Sequence, residues 1–268
     1  SKNCPHWIMA DLAISMAGFI SIPIYPTLTS EGINQILMHS ESKAIIIGKL
    51  DDFASQKEGI PSIPIISVKT FGGNTGKSWE DIIQQEEELS NIYLPENDDL
   101  RTIIYTSGTT GQPKGVMHTN GNFTKSSSIF IHILNLPKNP KFFSYLPLAH
   151  VAERAFCNGI LFFGGQITFP YSLETFAVNL EEIQPDIFFG VPRIYTKFQE
   201  KILENLPQRK LSLLLSIPFV NKVIKKKIKT KLGLSNASFI ASAAAPISSS
   251  LVKWYNTIGI TIQQGYGM

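Results

Sequence analysis

The chain has 268 residues, 43% of them hydrophobic and 17% charged, which supplies enough apolar side chains for a buried core and excludes a disordered chain. Its net charge of +3 comes without a long arginine-rich tract, which excludes nucleic acid as the expected partner. The two cysteines, Cys4 and Cys157, form no Cys-x-x-Cys pair, which excludes a disulfide framework and a zinc site and fits a reducing cytoplasm.

Short β-branched and aromatic runs alternate with helical patterns along the chain. The predicted strands are 44–48, 63–68, 102–106, 142–146, 166–169, 186–190, 238–242 and 259–263. Apolar residues that return every three or four positions predict helices at 151–163, 173–183, 194–204 and 248–258, with another that starts near Asn120. This alternation predicts an α/β fold with parallel-rich sheets flanked by helices.

A cluster of helix-breaking residues at 136–140 divides the predicted elements. Pro137 and Pro140 disfavour helical backbone before and at their own positions. We therefore predict a first α/β subdomain over residues 1–138 and a second over residues 139–268.

One basic segment bears on where the protein is located in the cell. The longest apolar stretch, 211–220, is interrupted by polar residues and falls short of the roughly 20 residues that span a bilayer. The segment 222–231 that follows is mostly lysine and isoleucine. Two interpretations stay open for it, a solvated helix face and contact with an anionic membrane surface. We expect a cytoplasmic protein, peripheral at the membrane on the second interpretation, and the sequence does not indicate an oligomeric state.

The most informative segment is 105–115, which reads Tyr-Thr-Ser-Gly-Thr-Thr-Gly-Gln-Pro-Lys-Gly and follows a predicted strand. Its glycines, Gly115 included, permit positive φ, so that successive N–H groups can converge around phosphate oxygens. Hydroxyl groups and one ammonium group complete a site suited to a triphosphate. The predicted phosphate-binding residues are Thr106, Ser107, Gly108, Thr109, Thr110, Gly111 and Lys114. A Walker A loop is excluded, because Lys114 stands between a proline and a glycine.

This segment resembles the signature phosphate loop of the adenylate-forming superfamily, which includes acyl-CoA synthetases, luciferases and peptide-synthetase adenylation domains. Further segments resemble the same family in the same order, over nearly the whole chain. Leu-Pro-Leu-Ala-His-Val-Ala-Glu-Arg at 146–154 is most similar to the long-chain fatty acid branch. The resemblance implies two stacked subdomains of the large N-terminal domain of such an enzyme, in incomplete form.

The resemblance also implies roles for single residues. The implied catalytic residues are Lys114, Thr106 and His150. The implied adenine-binding residues are Ala244, Ala245, Pro246, Gly265, Tyr266 and Gly267, with Ala243 where this branch often has glycine. The implied acyl-pocket residues are His150, Gly190 and Met268. From the residues themselves, Phe188 and Phe189 are expected in the core, and Glu153 and Arg154 are expected as an ion pair on a helix surface.

The implied reaction uses ATP, Mg²⁺ and CoA to convert a fatty acid to acyl-AMP and then to acyl-CoA. In the family a glutamate that holds Mg²⁺ and a small domain with a catalytic lysine follow the position of Met268. We therefore expect a fragment without metal ligands of its own and without activity alone. Two alternatives remain open, a fatty acyl-AMP ligase that feeds a carrier protein and a non-catalytic nucleotide-binding module.

Overall fold

The computed structural model describes residues 1–107, 113–134 and 136–266, with the backbone alone at 107 and 130–133. The chain forms two compact units, Ser1–Phe130 with Tyr145–Gly159, and Ile131–Ser144 with Ile160–Met268. It passes between them at three points, whereas the sequence predicted a single boundary after residue 138. The segment 145–159 returns to the first unit because the Asn3 side chain holds its start. The amide donates to the Leu146 carbonyl (2.7 Å) and the side-chain oxygen accepts from the Leu148 N–H (3.3 Å).

The first unit combines helices with a small parallel sheet and a hairpin. Its elements are α1 (Pro5–Met16), α2 (Ser30–His39), β1 (Ile45–Ile47), β2 (Ile65–Ser67), β3 (Lys77–Ser78), α3 (Trp79–Gln85), β4 (Leu100–Ser107), β5 (Pro113–Thr119) and most of α4 (Asn120–Leu134). Pro5 opens α1 with its fixed φ, and the Thr29 hydroxyl caps α2 by accepting from the Gly32 N–H. Strands β1, β2 and β3 pair in parallel, whereas β4 and β5 pair antiparallel.

The second unit is built around one parallel sheet. After α5 (Val151–Phe162), which begins in the first unit, its elements are β6 (Lys141–Phe143), β7 (Gln166–Thr168), α6 (Phe176–Ile183), β8 (Ile187–Gly190), α7 (Pro192–Asn205), α8 (Gln208–Ser216), α9 (Val220–Lys231), β9 (Phe239–Ser242), α10 (Ser249–Thr257) and β10 (Gln263–Gln264). The strand order is β10-β9-β8-β6-β7, with every pairing parallel. Strands β8 and β9 are buried along their whole length, as helices on both faces of a sheet require.

The predicted α/β class with parallel sheets is confirmed, and so is the burial of Phe188 and Phe189. Two details differ. The last strand is shorter than predicted, because Gly259 ends the preceding helix at φ +76° and the strand begins only at Gln263. Strand β5 is missing from the predicted strands, because Pro-Lys-Gly at its start is typical of turns and only the pairing with β4 extends it.

Candidate functional site

The two ends of the predicted phosphate-binding segment lie on the paired strands β4 and β5. In the register of this hairpin Thr106 is opposite Lys114, and Ser107 is opposite Pro113. Residues directly opposite each other project from the same face of a sheet, and both Thr106 and Lys114 are exposed. The side chains that carry a hydroxyl and an ammonium group are therefore neighbours on one face of the hairpin. The predicted residues Gly108, Thr109, Thr110 and Gly111 lie outside the described residues, as does the side chain of Ser107.

Gly115 has a role different from the one predicted. It lies inside β5 with extended backbone and not with positive φ. A Cβ at this position would stand 2.7 Å from Ile103 Cγ2 and 3.3 Å from Tyr105 Cζ. Glycine is required here because the neighbouring strand packs against its Cα.

Arg154 lies in a buried polar network, which overturns the prediction that it pairs with Glu153 on a helix surface. Its side chain is 2% exposed and Glu153 is equally buried. The guanidinium donates from Nε to Asp11 Oδ2 (3.0 Å), from Nη2 to Asp11 Oδ1, and from Nη1 to Thr102 Oγ1 (2.6 Å). A charge so deeply buried needs this kind of two-pronged pairing to offset its desolvation.

This network fixes the strand that ends in Thr106. Thr102 in β4 accepts from Arg154 and donates to the Ser21 carbonyl at 2.7 Å. Further along β4, the Tyr105 hydroxyl is 2.7 Å from His39 Nδ1, and burial raises the pKa of Tyr105, so the phenol stays protonated. The hydroxyl of Thr106 therefore extends from a strand that is anchored at two preceding positions.

His150 directly precedes α5, which begins at Val151. Its Nδ1 accepts from the backbone N–H of Ala152 at 3.2 Å, and its own N–H donates to the Pro147 carbonyl at 2.8 Å. Because a backbone N–H donates to Nδ1, the ring proton of the neutral imidazole is assigned to Nε2. The exposed ring thus has one nitrogen used in capping the helix and one donor available to a ligand.

In the second unit, several predicted residues meet at one edge of the sheet. Gly190 is paired with Ser242, and Ser242 with Gln264, so the carboxyl ends of β8, β9 and β10 form a row. Ligands of open α/β sheets bind outside the carboxyl ends of the strands. The predicted adenine segments, Ala244 to Pro246 and Gly265 with Tyr266, follow directly on β9 and β10 at this edge.

The turn after β9 carries two unusual features. Ala244 adopts φ +70°, a left-handed conformation that is unfavourable for a residue with a Cβ. The Ser242 hydroxyl is shielded from solvent and has no hydrogen-bond partner within the part of the chain that the structure describes. Strained backbone and unsatisfied polar groups concentrate at functional sites, so both features mark this turn as a ligand-binding candidate. Residue types alone did not signal either one.

The turn after β10 presents an open aromatic ring. The Gly265 N–H donates to the Ser242 carbonyl at 2.9 Å, which joins this turn to the end of β9. The Tyr266 side chain is 92% exposed, so its ring is available for stacking. The other predicted residues of this segment, Gly267 and Met268, lie outside the described residues.

Gly190, predicted for the acyl pocket, ends β8 beneath an aromatic side chain. A Cβ there would stand 3.0 Å from Tyr195 Cε2 and 3.2 Å from Phe188 Cε1. Tyr195 is fully buried, and its hydroxyl donates to the Ala241 carbonyl at 2.7 Å. Gly190 thus allows Tyr195 to join α7 to β9.

A cavity of about 560 Å³ lies in the first unit, with a lining made mainly of apolar side chains such as Ile14, Ile22 and Ile46. None of the predicted site residues that the structure describes lines it. Among the described residues no group of three or more His, Cys, Asp or Glu side chains is arranged to hold a metal ion. Within the same ranges, every helix is too short or too polar to cross a bilayer.

The whole chain, residues 1–268, matches the model of the AMP-binding enzyme family, and the chain belongs to that family. It is 29% identical to the peroxisomal long chain acyl-CoA synthetase 7 of Arabidopsis thaliana, over 99% of this chain and 43% of that protein. It is 27% identical to the long-chain-fatty-acid–CoA ligase ACSBG2 of Rattus norvegicus, over 99% of this chain and 47% of that protein. The chain therefore spans less than half the length of these relatives.

Solved structures support the fold. The chain superposes with a TM-score of 0.80 on the A-PCP didomain of a carboxylic acid reductase from Segniliparus rugosus in complex with AMP. The two are 21% identical, and the match covers 100% of this chain and 42% of that one. At this identity the likeness shows that the two chains share a fold.

Proposed function

We propose that the protein to which this chain belongs activates a long-chain fatty acid with ATP and transfers the acyl group to CoA. A carboxylate oxygen attacks the α-phosphorus of ATP, the bond to pyrophosphate breaks, and acyl-AMP forms. The CoA thiolate then attacks the acyl carbon, the bond to AMP breaks, and acyl-CoA and AMP are released. Family membership over the full chain and the names of the relatives support this reaction.

The observation that carries the proposal is the exposed Thr106–Lys114 pair at the hairpin turn. Phosphoryl transfer depends on positioning and on neutralisation of charge more than on a protein nucleophile. Unit charges 4 Å apart attract by about 4 kcal/mol at an effective dielectric constant of 20, so the Lys114 ammonium is suited to the β- and γ-phosphates. The Thr106 hydroxyl and the N–H groups of residues 107–111 complete the proposed phosphate site.

The adenine and acyl roles rest on the strand ends of the second unit and on His150. Ala244, Ala245 and Pro246 are proposed to lie along the purine, with the Tyr266 ring stacked on it. Stacking of a base on an aromatic ring contributes about 1–3 kcal/mol. His150 is proposed to border the reacting carboxylate through Nε2, while Gly190 and Met268 belong to the acyl pocket.

We propose Mg²⁺ as the ion that accompanies ATP. A carboxylate and water are its usual ligands beside the phosphates. Cys4 and Cys157 are both buried and free, which supports the cytoplasm as the proposed location.

An assay of the complete natural protein tests the proposal. Acid-dependent exchange of pyrophosphate into ATP is measured with acids from acetate to palmitate, and thioester formation is measured with CoA and with a carrier protein as acceptors. We expect exchange that is fastest with long acids and acyl transfer to CoA. Acyl transfer to the carrier alone would identify an acyl-AMP ligase, and ATP binding without exchange would identify a non-catalytic module; either result contradicts the proposal.

A further inference from the structure

Several apolar side chains are exposed at the connection between α8 and α9 and in the helical turns on either side of it. We refer to Leu213, Ile217, Phe219 and Val223, with the lysines next to them, as the α8–α9 tip. Their side chains are 64%, 40%, 82% and 63% exposed, in that order. Leu213 lies in the last turn of α8 and Val223 in the first turn of α9, and Ile217 and Phe219 lie in the short connection between the two helices. The four exposed apolar side chains therefore belong to one short segment of the chain.

The tip is not the face by which these helices join the unit. Leu211 in α8 and Ile228 in α9 are buried, and they supply the packing of the two helices against their neighbours. Phe219 has φ +65°, which is unfavourable for a bulky residue, yet its ring gains little contact within the chain in return. A large exposed apolar side chain held in a strained backbone is typical of a surface that binds something else.

The segment that contains the tip has charged residues of one sign only. From Asn205 to Ser235 the sequence contains no Asp or Glu. The basic residues in this range are Arg209, Lys210, Lys222, Lys225, Lys226, Lys227, Lys229 and Lys231. Lys231 is paired with Glu181 at 2.7 Å, whereas Lys222, Lys226 and Lys227 are exposed and lie within four residues of Phe219 or Val223. Apolar side chains bordered by exposed lysines complement a surface that is apolar beneath and anionic above.

We propose that the α8–α9 tip docks on an anionic lipid bilayer. Phe219, Leu213 and Val223 enter the boundary between headgroups and acyl chains, and the lysines lie at the level of the lipid phosphates and carboxylates. This inference does not depend on the proposed reaction, because it rests on exposure and charge at residues that the proposed reaction does not use. Of the two interpretations of the 222–231 segment, the proposal selects contact with an anionic membrane surface over a solvated helix face.

Flotation with vesicles, in the absence of nucleotide, acid and CoA, tests the proposal on the complete protein. Vesicles of phosphatidylcholine alone are compared with vesicles containing phosphatidylserine. We expect retention on the anionic vesicles that weakens as salt is raised. Lys222→Gln and Lys226→Gln should each lower the partition constant about fivefold, since one lysine near such a surface contributes about 1 kcal/mol. Phe219→Gly should lower it about tenfold.

Phe219→Gly separates binding from folding, because glycine accepts positive φ without strain. Its thermal midpoint should equal or exceed that of the wild type while vesicle binding falls. Leu213→Ser is a second variant that leaves the connection unchanged. Matched controls are Leu173→Ser, at a side chain 80% exposed outside the tip, and Lys253→Gln on α10, which is exposed; both should bind like the wild type. Failure to bind anionic vesicles, or equal binding by tip variants and controls, overturns the proposal.

Discussion

Thr106 and Lys114 are directly opposite each other on β4 and β5, one residue before and one residue after the innermost pair of the hairpin. We predict that Lys114→Ala slows adenylation by about 10²–10³, the effect of losing one preorganised group that stabilises developing charge. The fold should be unaffected because the side chain is exposed. Pyrophosphate exchange measures the rate, with Lys125→Ala on α4, also exposed, as the control. If Lys114→Ala exchanged pyrophosphate at the wild-type rate, the hairpin would not be part of the phosphate site.

The buried Arg154–Asp11 pair should be essential for stability. Arg154→Met leaves the Asp11 carboxylate buried without its partner, and breaking a buried ion pair in this way costs about 3–5 kcal/mol. Urea unfolding measures the change. The exposed pair Lys69–Asp81, 2.7 Å apart, is the control, and Lys69→Gln should cost no more than about 1 kcal/mol. Equal effects of the two substitutions would contradict the role of the network in holding β4.

Gly115→Ala should destabilise the hairpin. The added Cβ would stand 2.7 Å from Ile103 Cγ2, and overpacking of this kind costs about 1–3 kcal/mol. Because Gly115 follows Lys114, ATP affinity should fall in parallel with stability. Gly32→Ala in α2 is the comparison, since its Cβ would meet nothing closer than 3.4 Å and alanine favours helix by about 0.5–1 kcal/mol. Both variants are measured by urea unfolding and by calorimetry with ATP, and a stable Gly115→Ala protein would disprove the packing argument.

Replacing either of two adjacent alanines by glycine should change the free energy of unfolding, and the two changes should have opposite signs. The left-handed backbone of Ala244 costs about 1–2 kcal/mol, so Ala244→Gly should raise the free energy of unfolding by up to about 1 kcal/mol after the entropy of glycine is counted. Ala243 does not have positive φ, and Ala243→Gly should lower the free energy of unfolding by about 0.5–1 kcal/mol. Denaturant titration of both variants measures the two changes in the free energy of unfolding. A loss of stability in Ala244→Gly would contradict the strain assigned to this turn.

His118 makes stability depend on pH. Burial, and then the nearby Arg154 charge, lower the pKa of His118 below its ordinary value of 6.5. The unfolded chain therefore binds a proton more readily, so the stabilisation is complete above about pH 6.5 and is lost as pH falls through the folded-state pKa. The thermal midpoint should decrease from pH 7 to pH 5, and His118→Gln should reduce that decrease. An identical pH profile in the variant would show that other groups cause it.

The sequence predicted the parallel α/β fold because its strands are short apolar runs, and such runs reflect burial on both faces. It did not predict β5, because Pro113 and Gly115 are typical of turns and only the pairing with β4 extends them. Arg154 was placed on the surface because charged residues are seldom buried unless paired. Its partner Asp11 is 143 residues away in the sequence, and no local pattern reports such a contact.

The turn at Ser242 and Ala244 shows a second limit of prediction from the sequence. Alanine gives no sequence signal for a left-handed backbone, and serine gives none for a buried hydroxyl without a partner, since both properties arise from tertiary structure. The resemblance named Gly190, Pro246, Gly265 and Tyr266, and the structure has them at or after the carboxyl ends of β8, β9 and β10, at one edge of the sheet. Their roles in binding remain predictions.

A crystal structure of the protein with a non-hydrolysable ATP analogue tests the central claim most directly. We predict phosphate oxygens within hydrogen-bond distance of the Thr106 hydroxyl and the Lys114 ammonium, and the purine against the Tyr266 ring. A triphosphate bound elsewhere, with both of these side chains free of it, would contradict the account.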